Sequence, residues 1–413
     1  MGDGFVYKWT NLVNGKWYIG SHEGSQDDRY VGSGLVFRNA ILKHGIKNFE
    51  RSILYSGSLF REEEERILTE LDAASCTMSY NLKNESLGGS FYGEDNGMTG
   101  KKHSEEAKVK ISETLSNGER WGSAEKRVEH ASKVFTDIFR NLVRRGNFVS
   151  PRGQLVIEVE NFSYSLPPFV RFCNFECRKL NLDYVKQEFL WYLKGNKFDQ
   201  SILEKASMWK NLVNDDGSIN SNYGQYVFGD QKQFDDVVKT LIADKDSRRA
   251  SIVILADRHL KMLTKDVPCT YSLNFRIRDN FLNMSVHMRS QDAIFGMGND
   301  APAFSMIHEM MLNTLRGTYP ELKYGNYFHI ADSFHVYERH FEMLNKLTGY
   351  EKVDGGFTRR EKARLSSYQT VLCPAMSGPN EVEFMRHGDF SSIPNDFRFT
   401  KWLVSDEAAK SKK

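Results

Sequence analysis

MRSQDAIFGMGND, residues 288–300, sets Arg289, Ser290, Asp292 and Asp300 around two glycines at the end of an apolar alternation. The run before it, TYSLNFRIRDNFLNMSVHMRS (270–290), alternates with the period of strands, and APAFSMIHEMMLNTLRG (301–317) after it has helical spacing. A strand, a glycine turn crowded with charge and a long helix suggest an α/β layer whose polar groups gather at a strand end. Taken alone, such a turn is also what an ordinary surface loop looks like.

The neighbouring segments extend the pattern. QLVIEVENFSYSL (154–166), RASIVILA (249–256) and NYFHIADSFHVY (326–337) read as strands, and LDYVKQEFLWYLKG (182–195) as a helix closed by Gly195. Residues 134–413 are therefore expected to form an α/β (α+β) domain, a large sheet with helices. Two segments of different texture precede it. Residues 1–90 open with strands FVYKWTN (5–11) and KWYIGS (16–21) across a turn containing Asn14-Gly15, followed by helical runs, as in a small α/β unit. Residues 91–133 are polar and rich in Gly, Lys, Glu and Ser, as expected of a basic helical linker or a DNA-contacting module.

Composition narrows the classes. A 413-residue chain with a net charge of +2 has no overall field to attract nucleic acid, so such binding needs a local patch. No run approaches the ~20 apolar residues of a membrane helix, no secretory leader is visible, and five scattered cysteines suit a reducing interior. A cytoplasmic protein is expected, in the host cell if a phage encodes it. Cys173 and Cys177 lack further ligands nearby and are expected as buried thiols.

Tyr7 on the first strand, Tyr18-Ile19-Gly20 on the second, LKHGIKNFERSIL (42–54), the acidic helix EEEERILTELDAA (62–74) and Tyr80-Asn81-Leu82 follow in an order that resembles the GIY-YIG endonuclease family. The first triplet here is Phe5-Val6-Tyr7. The resemblance implies that Glu64 holds a divalent ion, Mg²⁺, with Tyr7 and Tyr18 beside the attacked phosphate and Asn81 in support. Arg29 matches the family's arginine by its spacing; Arg38 lies on the next helix. Phosphodiester hydrolysis needs such a set, a metal-held carboxylate and a cation for developing charge. GMTGKKHSEEAKVKISETL (97–115) resembles the modular DNA-binding motif of homing endonucleases, with Lys101, Lys102, Lys108 and Lys110 set to meet phosphates. Double-stranded DNA is thus the expected partner of residues 1–133.

The larger domain carries groups suited to one-carbon chemistry on a pyrimidine. C5 becomes nucleophilic once a thiolate adds to C6, and Cys269 in DVPCTYSLNF (266–275) precedes a strand. Arg248 and Arg249 in DSRRASIVI (246–254), with Arg289 and Ser290, suit a phosphate; His335 and Tyr337, two apart on a strand, suit a sugar. Together with GSINSNYG (217–224) these stretches resemble the thymidylate synthase superfamily, and within it the phage deoxycytidylate hydroxymethylase branch. The resemblance implies a homodimer in which Arg248 and Arg249 serve the partner's phosphate site. It also implies 5,10-methylenetetrahydrofolate as one-carbon donor to a nucleotide monophosphate. Cys269 is then the nucleophile and Glu188 the carboxylate that moves protons and orders water, while Tyr223 and Asp292 line the site.

Where synthases carry asparagine, this chain has Asp300. A carboxylate can accept from the C4 amino group of cytosine, whereas opposite uracil O4 it leaves an unmet acceptor at a cost of about 1–3 kcal/mol. Cytosine is therefore expected, with dUMP, giving hydroxymethyl-dUMP or thymidylate, as the alternative. Thr270 stands where synthases have histidine, and RFTKWLVSDEAAKSKK (398–413) is expected not to supply an apolar closing tail, which favours water capture over hydride transfer. Two further readings are a homing nuclease with an inactive synthase-like passenger, and a DNA-binding fusion without catalysis.

Overall fold

The computed structural model describes residues 4–27, 30–86, 124–168, 170–173, 175, 177–261, 264–348, 350–353, 356–359 and 373–405. The chain forms two units, Met1–Ile157 with Tyr337–Arg364, and Glu158–Val336 with Leu365–Lys413.

In the first unit, β1 (Gly4–Asn11) is the centre of a three-stranded antiparallel sheet, flanked by β2 (Trp17–Glu23) and β3 (Phe49–Gly57). The turn between β1 and β2 closes with Asn11 N–H donating to Lys16 O at 2.7 Å, and Gly15 takes a left-handed φ of 71°. Period-2 alternation sends Phe5 and Tyr7 into one apolar cluster with Phe37, Ile41 and Phe49, and Val6 into another with Ile19, Phe60 and Leu68. Both faces are thus covered, one by α1 (Leu35–His44) and the other by α2 (Phe60–Glu70). Almost every side of α1 is buried, because α3 (Ala124–Arg145) and the helix Phe341–Thr348 also pack on it. A short strand, β4 (Asn147–Val149), follows α3.

The second unit is built on a sheet in which β5 (Val156–Leu166), β10 (Lys323–Tyr337), β8 (Phe281–Met288), β7 (Thr270–Arg278) and β6 (Ser251–Val253) lie in that order. β7 and β8 form an antiparallel hairpin whose two turn residues, Asp279 and Asn280, have φ of 49° and 62°. Two consecutive left-handed residues are what a tight hairpin turn needs, and Asp and Asn tolerate that conformation better than most. The two-residue strand β9 (Gln291–Asp292) runs parallel to β10. Around the sheet pack α4 (Leu182–Leu193), α5 (Gln233–Ala243), α6 (Gly296–Leu315), α7 (Pro379–His387) and α8 (Arg398–Val404).

Two elements differ from the sequence expectation. The glycine-rich stretch before residue 301 is not a turn but the opening of α6, which starts at Gly296. Asp292 begins this structure: its Oδ1 accepts from the N–H groups of Ile294 at 2.7 Å and Phe295 at 3.1 Å. Asp300 therefore lies inside the helix and does not cap it. Gly298 is small because the Arg178 guanidinium passes over it; a Cβ there would stand 2.0 Å from Nη2.

The second difference is at the C-terminal stretch. Phe399, Trp402 and Leu403 of α8 are buried, and α8 packs on α4. The buried Lys186 of α4 donates to Ser405 O at 3.3 Å and Oγ at 3.2 Å, with its ammonium 4.7 Å from the Trp402 ring centre. The interleaved charges of 398–405 face away while three apolar residues dock, so this segment does contribute an apolar element.

Candidate active sites

Hairpin register determines which groups meet in the second unit. Thr270 pairs with Met288 across β7 and β8, so the residues just outside them, Cys269 and Arg289, face each other. Arg289 N–H donates to Cys269 O at 2.8 Å. The Arg289 side chain turns back along the same loop. Nε donates to Pro268 O at 3.0 Å, and Nη2 donates to Val267 O at 2.8 Å and lies 3.5 Å from Cys269 Sγ. A fixed guanidinium thus stands beside a half-exposed thiol. Tyr223, stacked on Phe304, accepts from Cys269 N–H through its Oη at 3.3 Å.

Glu188 projects from α4 and is 3% exposed. Trp209 Nε1 donates to Tyr184 Oη at 3.0 Å, and Tyr184 O–H donates to Glu188 Oε1 at 2.7 Å. The other oxygen, Oε2, is buried with no hydrogen-bond partner among the described residues. Burial, followed by the charge of Asp300, pushes the Glu188 carboxyl up to about 8. Asp300 is itself pushed up to about 7, mainly by burial; a hydrogen bond from Gln291 opposes the shift and Asp292 adds to it. Two carboxyls displaced into the neutral range can exchange protons near physiological pH.

The remaining expected residues fall as follows. β9 pairs Asp292 with His335 of β10, and Ser333 Oγ lies 3.3 Å from His335 Nδ1. Ser290 is half-buried beside Arg289. Tyr337 ends β10 with its ring centre 4.2 Å from the Arg339 guanidinium carbon. Arg248 and Arg249 are exposed, and their guanidinium groups make no hydrogen bond or ion pair among the described residues. Cys173 is buried, which pushes its thiol up to about 12, whereas Cys177 is half-exposed. Sequence reading missed Gln291, Tyr164, Tyr184 and Arg178, although all four hold the expected groups or their supports in place.

In the first unit, Tyr7 and Tyr18 lie with ring centres 6.4 Å apart, and Tyr18 stacks on Phe37 at 4.4 Å. Gly20 leaves room for the pair, since a Cβ there would stand 2.7 Å from Tyr7 Oη. Burial raises the pKa of both phenols, so they stay protonated. Asn81 clamps the second strand, accepting from Ile19 N–H at 2.9 Å and donating to Ile19 O at 2.7 Å. Of the four consecutive glutamates only Glu64 is buried; its Oε2 accepts from Ser21 Oγ at 2.6 Å and Ser86 Oγ at 2.9 Å. Its pKa is raised, chiefly by burial. Arg38 is buried close to the tyrosines and donates to Gly32 O and Gly146 O. Arg29 and the lysines at 101, 102, 108 and 110 lie outside the described residues.

The second unit thus carries a half-exposed thiol beside an arginine and two buried carboxyls raised into the neutral range. The thymidylate synthase family model matches residues 133–354, more than half of the chain, and the chain belongs to that family. It is 30% identical to the deoxycytidylate 5-hydroxymethyltransferase of Enterobacteria phage T6, over 40% of this chain and 71% of that protein. It is 28% identical to the deoxyuridylate hydroxymethyltransferase of Bacillus phage SP01, over 50% of this chain and 57% of that protein. The chain is also 38% identical, over 26% of its length and 58% of that protein, to a phage T4 protein named "Putative endonuclease segC". The NUMOD3 motif matches residues 87–112. Among the described residues no helix is long and apolar enough to cross a membrane.

Proposed function

We propose that the second unit converts dCMP to 5-hydroxymethyl-dCMP. The observation that carries this reading is Asp300, an acceptor-capable carboxyl in the wall that also holds Glu188. The Cys269 sulfur adds to C6 of the base, forming an S–C6 bond, and the C5=C6 electron pair makes C5 nucleophilic. Arg289 favours the thiolate beforehand, and Asp300 accepts from the C4 amino group and from N3 once that is protonated. 5,10-Methylenetetrahydrofolate, when bound, supplies the one-carbon unit. The unpartnered Glu188 Oε2 fits a site that a water, the base or the folate completes, and its carboxyl can hold the water that becomes the new hydroxyl. Arg289 and Ser290 serve the substrate phosphate together with Arg248 and Arg249 of a second copy in a homodimer, and His335 serves the deoxyribose.

Incubation with the folate and either dCMP or dUMP, followed by mass analysis of the product, tests this. Release of tritium from C5 of dUMP but not of dCMP overturns the base assignment.

The inward turn of Glu64 favours a second activity for the first unit, Mg²⁺-dependent cleavage of double-stranded DNA. Mg²⁺ keeps most of its waters and needs only one or two carboxylates, so the single buried Glu64 suits it. Tyr7, Tyr18 and one of Arg29 and Arg38 would then meet the phosphate, with the NUMOD3 residues gripping the DNA. Nicking that persists in Glu64→Ala overturns the metal assignment.

A further inference from the structure

Gln291 is 2% exposed, and three different groups determine which way its carboxamide points. On one side Tyr164 O–H donates to Oε1 at 3.1 Å. On the other, Nε2 faces two acceptors, Met288 Sδ at 3.5 Å and Asp300 Oδ2 at 3.3 Å. Exchanging the amide oxygen and nitrogen would set a carbonyl against a carboxyl and a thioether, and would leave the phenol O–H without its acceptor. The Tyr164 ring is held in place, stacked on His329 at 4.8 Å and packed against Phe334, so its hydroxyl stays within reach of the amide. Burial keeps the phenol protonated, so it remains a donor.

This arrangement bears on what Asp300 offers to a base. A buried carboxyl tends to take up a proton, and an acid whose O–H can rotate could also donate to a carbonyl at C4. An N–H already directed at Oδ2 opposes a proton on that side and rewards the accepting form. We infer that Gln291 is a specificity-determining positioning residue: held by Tyr164 and Met288, it keeps Asp300 a hydrogen-bond acceptor and so favours a pyrimidine with an amino group at C4. The inference rests on the reading of the second unit as a dCMP hydroxymethylase.

The test measures kcat/KM for dCMP and for dUMP, each with 5,10-methylenetetrahydrofolate, in the full-length protein and in Gln291→Leu and Tyr164→Phe. Loss of a hydrogen bond to a charged group predicts that the dCMP-to-dUMP ratio falls about tenfold or more in Gln291→Leu. In Tyr164→Phe the amide keeps its place but loses its orienting donor, and the ratio falls about threefold. A purely structural role for Gln291 lowers both substrates in proportion and leaves the ratio unchanged, which overturns the inference. Should Gln291→Leu not fold, the ratio in Tyr164→Phe decides alone. An unsubstituted protein that prefers dUMP, or uses neither nucleotide, overturns the dCMP reading itself, so the two failures are distinct.

Discussion

Cys269 and Arg289 stand opposite each other across the open end of one hairpin, with 3.5 Å between sulfur and guanidinium nitrogen. Cys269→Ala removes the nucleophile and is expected to abolish tritium release from C5-labelled dCMP. Arg289→Lys keeps the charge but cannot reach Pro268 O, Val267 O and the sulfur together, so turnover is expected to drop at least about tenfold. The melting temperature of the Cys269→Ala protein should stay near that of the parent.

The carboxyl pair makes stability depend on pH. Glu188 and Asp300 titrate near 8 and 7 in the folded chain against ordinary values of 4.5 and 3.8. The folded state thus prefers their neutral forms. Their contribution is fully present below the ordinary values and is lost as pH rises through about 7 to 8. It is on the order of a few kcal/mol for the coupled pair. Urea unfolding followed from pH 5 to pH 9 (about two units either side of Asp300's value) should show this decline. Glu188→Gln combined with Asp300→Asn should flatten it.

Gly298 and Arg178 share space that permits no methyl group. Gly298→Ala forces Arg178 away from Ile294 O, now 2.8 Å from Nε, or shifts the first turn of α6. A loss of about 1–3 kcal/mol is expected from the urea midpoint. A fall in kcat should accompany it, because Asp300 lies on the displaced turn.

Exposed Arg248 and Arg249 give a test of the homodimer proposal. Replacing both with glutamate should raise KM for dCMP strongly. Mixing that variant with Cys269→Ala, itself inactive, should restore part of the activity, since a hybrid dimer then has one complete site. Failure of every mixture to regain turnover counts against a shared site.

Among the four consecutive glutamates of α2, the buried Glu64 and exposed Glu62 make opposite predictions. Glu64→Gln should eliminate Mg²⁺-dependent nicking of duplex DNA, while Glu62→Gln should leave it within about twofold, as expected of a surface change. Gel analysis of a supercoiled plasmid reads both.

Much of this was legible from local pattern. The alternation on either side of Asp279-Asn280 marks a hairpin, and counting outward from its turn brings Cys269 towards Arg289. Only the irregularity between Thr270 and Ser272, which absorbs one residue, escapes the count. The start of α6 was not legible, because glycines at 296 and 298 weaken a helix by their own propensity, and the second is retained here by Arg178. Nor was Gln291, whose partner Tyr164 lies 127 residues earlier; a lone amide beside charged neighbours carries no periodic signal. The docking of α8 was hidden because Phe399, Trp402 and Leu403 sit among charges that face solvent.

The turn at Asp279-Asn280 lies at the far end of the hairpin from the thiol, roughly 30 Å away at the usual rise per residue. Such exposed tips ordinarily accept insertions, but this one works as a ruler. One extra residue there would slide β7 along β8 and turn alternate side chains to the wrong face. Cys269 would lose its arginine and Leu273, Phe275 and Ile277 would leave the core, so the length of this loop, more than its composition, is what descendants of this chain must keep.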